Sequence, residues 1–222
     1  MISTDDFSLM CQALPFLNLI PGAEKARVRS RSRIVDLREG EAVRDRKGGI
    51  DSVFVVKSGA VRVYTQSAAS EEQLLLYYVP PGAPCIMAAT RLCLSSSLDY
   101  CIHIHAVART RILALDEKTI MDYEKKYPKM RVEIDNMLAS RLSSLFNNLS
   151  SIVTDDLRTR VWDYLNYLSD CFGTTEITVT HKAISQDLNC RREVVTRILS
   201  SLADDGLVSV SRGKIRIMEK TP

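Results

Sequence analysis

The sequence predicts an α+β protein in three parts: a β domain over residues 1–118, a long helix over 119–153 and a winged helix-turn-helix over 154–222. Three patterns carry that expectation. Short runs rich in β-branched and aromatic residues recur at roughly ten-residue spacing from Arg27 to Leu115. A single apolar stripe follows Pro128 for more than three heptads. Beyond Thr154 the chain reads as three helices and a hairpin, with a short strand after the first helix.

The β runs are "RIVDL", "SVFVV", "AVRVY", "LLLYYV", "CIHIHAVA" and "RILAL", separated by the turn signals "REGE", "RKGG", "KSG" and "PPG". Such spacing implies a sandwich or a barrel-like domain. In "ARVRSRSR", arginines 27, 29, 31 and 33 alternate, so on a strand they would share one face, read here as a solvated outer face rather than a nucleic-acid stripe.

The long helix places Met130, Ile134, Leu138, Leu142, Leu145, Leu149 and Ile152 at steps of three and four. A narrow stripe on an otherwise polar helix seeks a partner. Ile134, Leu138, Leu142, Leu145, Leu149 and Ile152 are therefore expected to form a homodimer seam. Packing against the chain's own β domain is the alternative.

Overall composition restricts the function classes. Of 222 residues 45% are hydrophobic and 26% charged, as in ordinary globular proteins. No apolar run approaches the roughly 18–20 residues of a membrane span, and the acidic start "MISTDDFSLM" does not read as an export signal. A cytoplasmic location with no membrane partner is expected. Six cysteines without a C-x-x-C pair point to reduced thiols. A net charge of +3 neither demands nor excludes nucleic acid, so any such argument must come from placement.

Placement is informative at the C-terminus. "DDLRTRVWDYLNYLSDCF" is an amphipathic helix stopped by Gly173, and "TEITVT" a short strand. "HKAISQDL" is a short helix ended by Asn189, a residue that tolerates the left-handed conformation. "RREVVTRILSSLADDG" is a second helix stopped by Gly206, and "LVSVSRGKIRI" alternates around an "SRGK" turn. At about 100° per residue, Arg192, Glu193, Thr196 and Arg197 share one polar arc, opposite Val194, Val195, Ile198, Leu199 and Leu202. Arginine can pair bidentately with guanine, glutamate can accept from cytosine, and threonine can meet a thymine methyl or a phosphate. Thr180 suits the N-cap of the preceding helix, where His181 and Lys182 would meet a phosphate. Arg212 and Lys214 at the hairpin tip would reach the flanking backbone.

The stretch "THKAISQDLNCRREVVTRILSSLADDGLV" strongly resembles the C-terminal domain of the CRP/FNR superfamily of bacterial transcription regulators. Upstream, the "SGAVRVY" glycine turn and the long helix follow the family's order. The resemblance implies an N-terminal double-stranded β-helix (β-roll, cupin-like) as effector-binding sensor domain, a homodimer, and a palindromic double-stranded DNA site. Arg192, Glu193 and Arg197 match the cyclic AMP receptor branch, which implies TGTGA-like half-sites. RNA polymerase enters as a candidate partner, although no surface loop carries a legible pattern for it. In the family's mechanism the effector contacts the long helix, here near Leu145 and Phe146, and shifts a hinge around Val153 to Leu157. The family's turn glycine and its Ser or Thr cap are replaced by Asn189 and Arg191. Arginine cannot cap a helix N-terminus, so Arg191 is assigned to a phosphate.

The sensor cassette also departs from the family. By register, Met87 stands near the family's glutamate and Tyr100-Cys101 near its Arg-Ser pair, so a cyclic nucleotide would leave polar groups unpaired. Cyclic AMP is therefore not expected. Nor is an iron-sulfur cluster, since Cys11 is alone near the N-terminus. Cys85, Met87, Cys93, Tyr100 and Cys101 are the candidate effector residues, with His103 and His105 as candidate haem ligands and no other metal site. Strand alternation sets Cys101, His103 and His105 on one face, opposite Ile102 and Ile104. The effector stays open among haem, a redox thiol, a small apolar or anionic metabolite, and none at all. No catalytic role is expected, because His181 belongs to the DNA module and His103 and His105 lack the signature of a triad.

Overall fold

The computed structural model describes residues 2–43, 52–66, 73–85 and 102–218, with the backbone alone for 147–154. Met87, Cys93, Tyr100 and Cys101 lie outside the described residues, as do the side chains of Leu149 and Ile152. Among the described residues no helix is long and apolar enough to cross a membrane.

The chain opens with helices α1 (Thr4–Ala13) and α2 (Gly22–Arg31), joined by a 3₁₀ turn at Pro15–Leu19. Ser3 starts α1, its Oγ accepting from the Asp6 amide at 3.0 Å. Helix α2 corrects the strand expected for "ARVRSRSR". Arg27, Arg29 and Arg31 are helical, so they fan out around the axis, and only Arg33 reaches strand β1 (Arg33–Leu37). The segment is rich in Ala, Glu, Lys and Arg, all good helix formers, and Val28 anchors it to the core.

Two sheets follow, the first of them antiparallel. β1, β2 (Ser52–Ser58), β5 (Pro84–Cys85) and β7 (Thr110–Asp116) run in the order β1-β7-β2-β5. β3 (Val61–Gln66), β4 (Gln73–Val79) and β6 (Ile102–Ala106) run in the order β4-β3-β6. The "SGAVRVY" turn needs its glycine. Gly59 has φ +76°, and a Cβ there would sit 2.5 Å from Thr110 Oγ1 and 2.6 Å from the Arg109 carbonyl oxygen.

The chain divides into two compact units, Met1–Arg62 with Tyr78–Tyr100 and Ile104–Leu145, and Val63–Tyr77 with Cys101–His103 and Phe146–Pro222. The core of the first sets Phe7, Met10, Leu14, Phe16 and Leu17 against Val53, Val55, Leu113 and Leu115 of β2 and β7. Ile120 and Tyr123 of α3 (Glu117–Lys126) join it, as do Met130 and Ile134 of α4 (Lys129–Thr154). Ile134 is only 2% exposed within its own chain, which corrects its assignment to a dimer seam. The stripe changes partner along α4. Leu138 packs partly against this core, Leu145 is half-buried, and Leu142 and Phe146 are 54% and 59% exposed.

Among the described residues of this unit one carboxylate, Asp6, is buried. Asp6 accepts from Lys57 Nζ at 2.6 Å, and Lys57 and the Ser3 cap together hold its carboxyl below the ordinary aspartate value of 3.8. A lowered folded value means stability that is present above pH 3.8 and lost as pH falls through the folded value. Asp6→Asn is expected to cost about 1–3 kcal/mol at neutral pH. In urea titrations, the gap between variant and wild type should close as the pH drops below the ordinary aspartate range.

Candidate nucleic-acid interface

The C-terminal elements are α5 (Leu157–Phe172), β8 (Glu176–Thr178), α6 (His181–Asp187), α7 (Arg192–Asp204), β9 (Val208–Ser211) and β10 (Lys214–Ile217). The last two strands pair with β8 in the order β8-β10-β9. Val161, Leu165 and Leu168 of α5 are buried, as are Ile184, Val195, Leu199, Leu202, Ile215 and Ile217, so each element turns an apolar side inward.

Local chemistry sets the boundaries. Asp156 caps α5 by accepting from the Thr159 amide at 2.9 Å, and Gly173 ends it at φ +63°. Thr180 caps α6 through Oγ1, accepting from the Ala183 amide at 3.1 Å. Asn189 takes φ +49°, alone among the described non-glycine residues in having positive φ, and turns the chain toward α7. Arg191 is the N-cap residue of α7 and makes no side-chain capping bond.

Sequence reasoning missed how this turn is braced. Arg160 of α5 donates from Nη2 to the Leu188 carbonyl at 3.0 Å, and Tyr164 donates from its hydroxyl to Asp187 Oδ2 at 2.6 Å. Tyr164 and Asp187 are both buried. The available signal was an aspartate between Ile184 and Leu188, on the inward side of a short helix, a position where a carboxylate needs a donor.

Burial along α7 follows helical periodicity. Arg192, Glu193, Thr196 and Arg197 are exposed, Val195, Leu199 and Leu202 are buried, and Val194 and Ile198 are half-buried. His181 Nδ1 lies 3.0 Å from Thr196 Oγ1, which also donates to the Arg192 carbonyl at 3.1 Å. With its hydroxyl hydrogen on that carbonyl, Thr196 accepts from an Nδ1–H. The wing tip joins this surface, since the Val179 amide donates to the Gly213 carbonyl at 3.1 Å beside the Thr180 cap. Arg212 and Lys214, on either side of Gly213, are exposed, as is Lys182. One surface thus carries the α6 N-terminus, the first two turns of α7 and the wing tip.

Lys214 is not free on that surface. Glu176 accepts from Lys214 Nζ at 2.7 Å and from Arg216 Nη2 at 2.6 Å, and the two cations pull its carboxyl down to about 2. Arg216 and Glu176 were absent from the expected site. The strand pairing that sets Glu176 opposite Arg216 brings them together.

Of the sensor candidates on the β domain, Cys85, His103 and His105 lie within the described residues. Cys85 is fully buried opposite Phe54. His103 is half-buried and stacks on Tyr64 at 5.2 Å between ring centroids, and His105 is also half-buried. Both alternate with buried Ile104 and Ala106, which places the histidines on the opposite strand face. Among the described residues no group of three His, Cys, Asp or Glu could hold a metal ion, and Cys11, Cys85, Cys171 and Cys190 form no disulfide.

Residues 159–221 match the Crp-like helix-turn-helix domain. The whole chain is similar to a solved transcriptional regulator of the CRP/FNR family from Eubacterium rectale, with 25% identity, TM-score 0.78, and coverage of 92% of this chain and 94% of that one. The C-terminal domain is thus Crp-like, and the chain as a whole is similar to regulators of the CRP/FNR family. The chain is also 23% identical over 187 residues to the CRP-like cAMP-activated global transcriptional regulator of Mycobacterium tuberculosis, covering 76% of each. To the cyclic AMP receptor protein of Thermus thermophilus it is 24% identical over 169 residues, again with 76% of each covered.

The turn at Asn189 tests its own chemistry. Asn189→Gly should stay within about 0.5 kcal/mol of wild type, whereas Asn189→Ala should lose about 1 kcal/mol, because only alanine pays the left-handed penalty. Thermal melts of the two variants check the difference.

Proposed function

We propose that the protein is a homodimeric, sequence-specific DNA-binding regulator whose affinity is gated by an effector in the N-terminal β domain. The observation that carries this reading is the exposed Arg192, Glu193, Thr196 and Arg197 face, flanked by the wing tip and the α6 N-terminus. Arg192 and Arg197 take guanines, Glu193 takes a cytosine, and the Thr196 methyl meets a thymine. Thr180, His181, Lys182, Arg191 and Arg212 hold phosphates and so fix the register without reading sequence. The half-sites are TGTGA-like and palindromic, and two copies of α7 enter successive major grooves about 34 Å apart.

The exposed Leu142 and Phe146 on α4 support the homodimer, because large apolar side chains in sequence with a buried stripe suit a second copy of the same helix. The effector is a small molecule other than cyclic AMP, a reading that rests on Met87 and Tyr100 in place of a carboxylate and a guanidinium. Haem is the less favoured candidate, since His103 and His105 lie opposite the buried Ile104 and Ala106. The protein works in the cytoplasm, with RNA polymerase as its onward partner.

Arg192→Ala should cost about 1–3 kcal/mol on the preferred palindrome and relax base choice at one position. Equal losses on the palindrome and on random duplex, measured by fluorescence anisotropy, would overturn base readout. Separately, Leu142→Asp should sediment as a monomer at concentrations where the wild type is a dimer, and should lose most of its affinity for a two-half-site palindrome. A wild type that sediments as a monomer would refute the seam.

A further inference from the structure

The cations of the C-terminal surface fall into two groups. Among the described residues Arg192, Arg197 and Arg212 form no ion pair, whereas Lys214 and Arg216 share one carboxylate. That sharing follows from strand register. Glu176 lies directly across from Arg216 and diagonally across from Lys214, and all three side chains stand on the outer face, opposite buried Ile177, Ile215 and Ile217. Each carboxylate oxygen takes one cation, Oε1 from Lys214 at 2.7 Å and Oε2 from Arg216 at 2.6 Å. Two oxygens of a DNA phosphate would offer the same cations the same arrangement. Lys214 follows Gly213, whose carbonyl is bonded to the chain just before the Thr180 cap, so the pair borders the surface assigned to DNA. All of these pairs are exposed, with Glu176 at 35% side-chain exposure, so the carboxylate can be exchanged for another anion at little cost.

We propose that Glu176 is an internal counter-ion that competes with DNA phosphates for Lys214 and Arg216, lowering sequence-independent affinity so that discrimination rests on the α7 base contacts. The proposal rests on the DNA-binding reading above. Non-specific binding comes almost entirely from phosphate neutralisation, and each phosphate neutralised adds about 0.9 to the slope of log affinity against log salt. A wing whose two cations are already paired contributes little to that slope. Glu176 therefore acts as a specificity-determining residue without touching a base.

The test measures binding of the full-length chain to a TGTGA-type palindrome and to random duplex across a potassium chloride series. Glu176→Gln should bind random duplex about twofold to tenfold more tightly at low salt, with a slope steeper by about one to two. Glu176→Asp keeps the charge and should retain the wild-type slope. Should Glu176→Gln melt early, Glu176→Thr, a residue suited to an exposed strand, replaces it with the same expected slope. In a Lys214→Gln, Arg216→Gln background, adding Glu176→Gln should leave the slope where it was. An unchanged slope in the otherwise wild-type protein, equal shifts for Asp and Gln, or a gain that survives removal of both cations would each overturn the proposal. A wild type that binds palindrome and random duplex alike would instead refute the DNA-readout reading, while the slopes would still judge Glu176.

Discussion

Everything the C-terminal surface does depends on the short turn between α6 and α7, and that turn is held from behind. Left-handed backbone at Asn189 reverses the chain but leaves the end of α6 with carbonyls that no helix amide can reach. Arg160 supplies the donor for Leu188, and Tyr164 supplies the donor for the buried Asp187 carboxylate. Both come from α5, so α5, α6 and the turn are joined by polar bonds as well as by apolar packing. His181 then bonds to Thr196 across the two helices, linking the start of α6 to the exposed face of α7. The consequence is that the exposed arginines of α7 sit on a stiff support, which on the proposed reading is what geometric readout of base edges requires.

Charge is distributed to the same end. The chain carries 30 basic and 27 acidic residues, so its average field is weak. Much of the surface charge cancels in pairs, including Arg111 with Asp36, Lys126 with Glu24, Arg131 with Glu124 and Asp135, and Arg158 with Asp205. Such exposed pairs contribute little to stability. They do remove cations from the field a phosphate chain would feel, and the unpaired arginines of α7 and the wing tip stand out against that background. Glu176 extends the pattern to the edge of the interface itself.

How much of this was legible in the sequence depended on whether the deciding interaction was local. Asn189, Gly173, Gly206 and the hairpin tip report their own backbone geometry, and the period of α7 separates Arg192 from Val195 without help from other parts of the chain. Alternation likewise put His103 and His105 opposite Ile104. The N-terminal helices were hidden for the converse reason. Arginine at every second position imitates a strand, and what decides for a helix is Val28 meeting a core assembled from β2, β7 and α3. Asp6 reads as a surface acid until Lys57 arrives from a strand 51 residues away (57 − 6). Glu176 and its two cations are separated by 38 and 40 residues, and only the sheet register pairs them.

The stripe on α4 shows the limit of periodicity most clearly, because one unbroken pattern serves two surfaces. Met130 and Ile134 are consumed by the core of their own chain, and past Leu138 the same period delivers Leu142 and Phe146 to solvent. A helix of 26 residues gains little from propensity alone where Asn and Ser are frequent, so its second half needs packing to be stable. Each large apolar side chain taken from water contributes about 1.5–3 kcal/mol when fully buried. A twofold axis along α4 would bury each exposed residue twice, once on each copy. On the proposed reading, the part of the stripe that the chain does not use for itself is what makes the dimer, and the dimer is what spaces two copies of α7 for a palindrome.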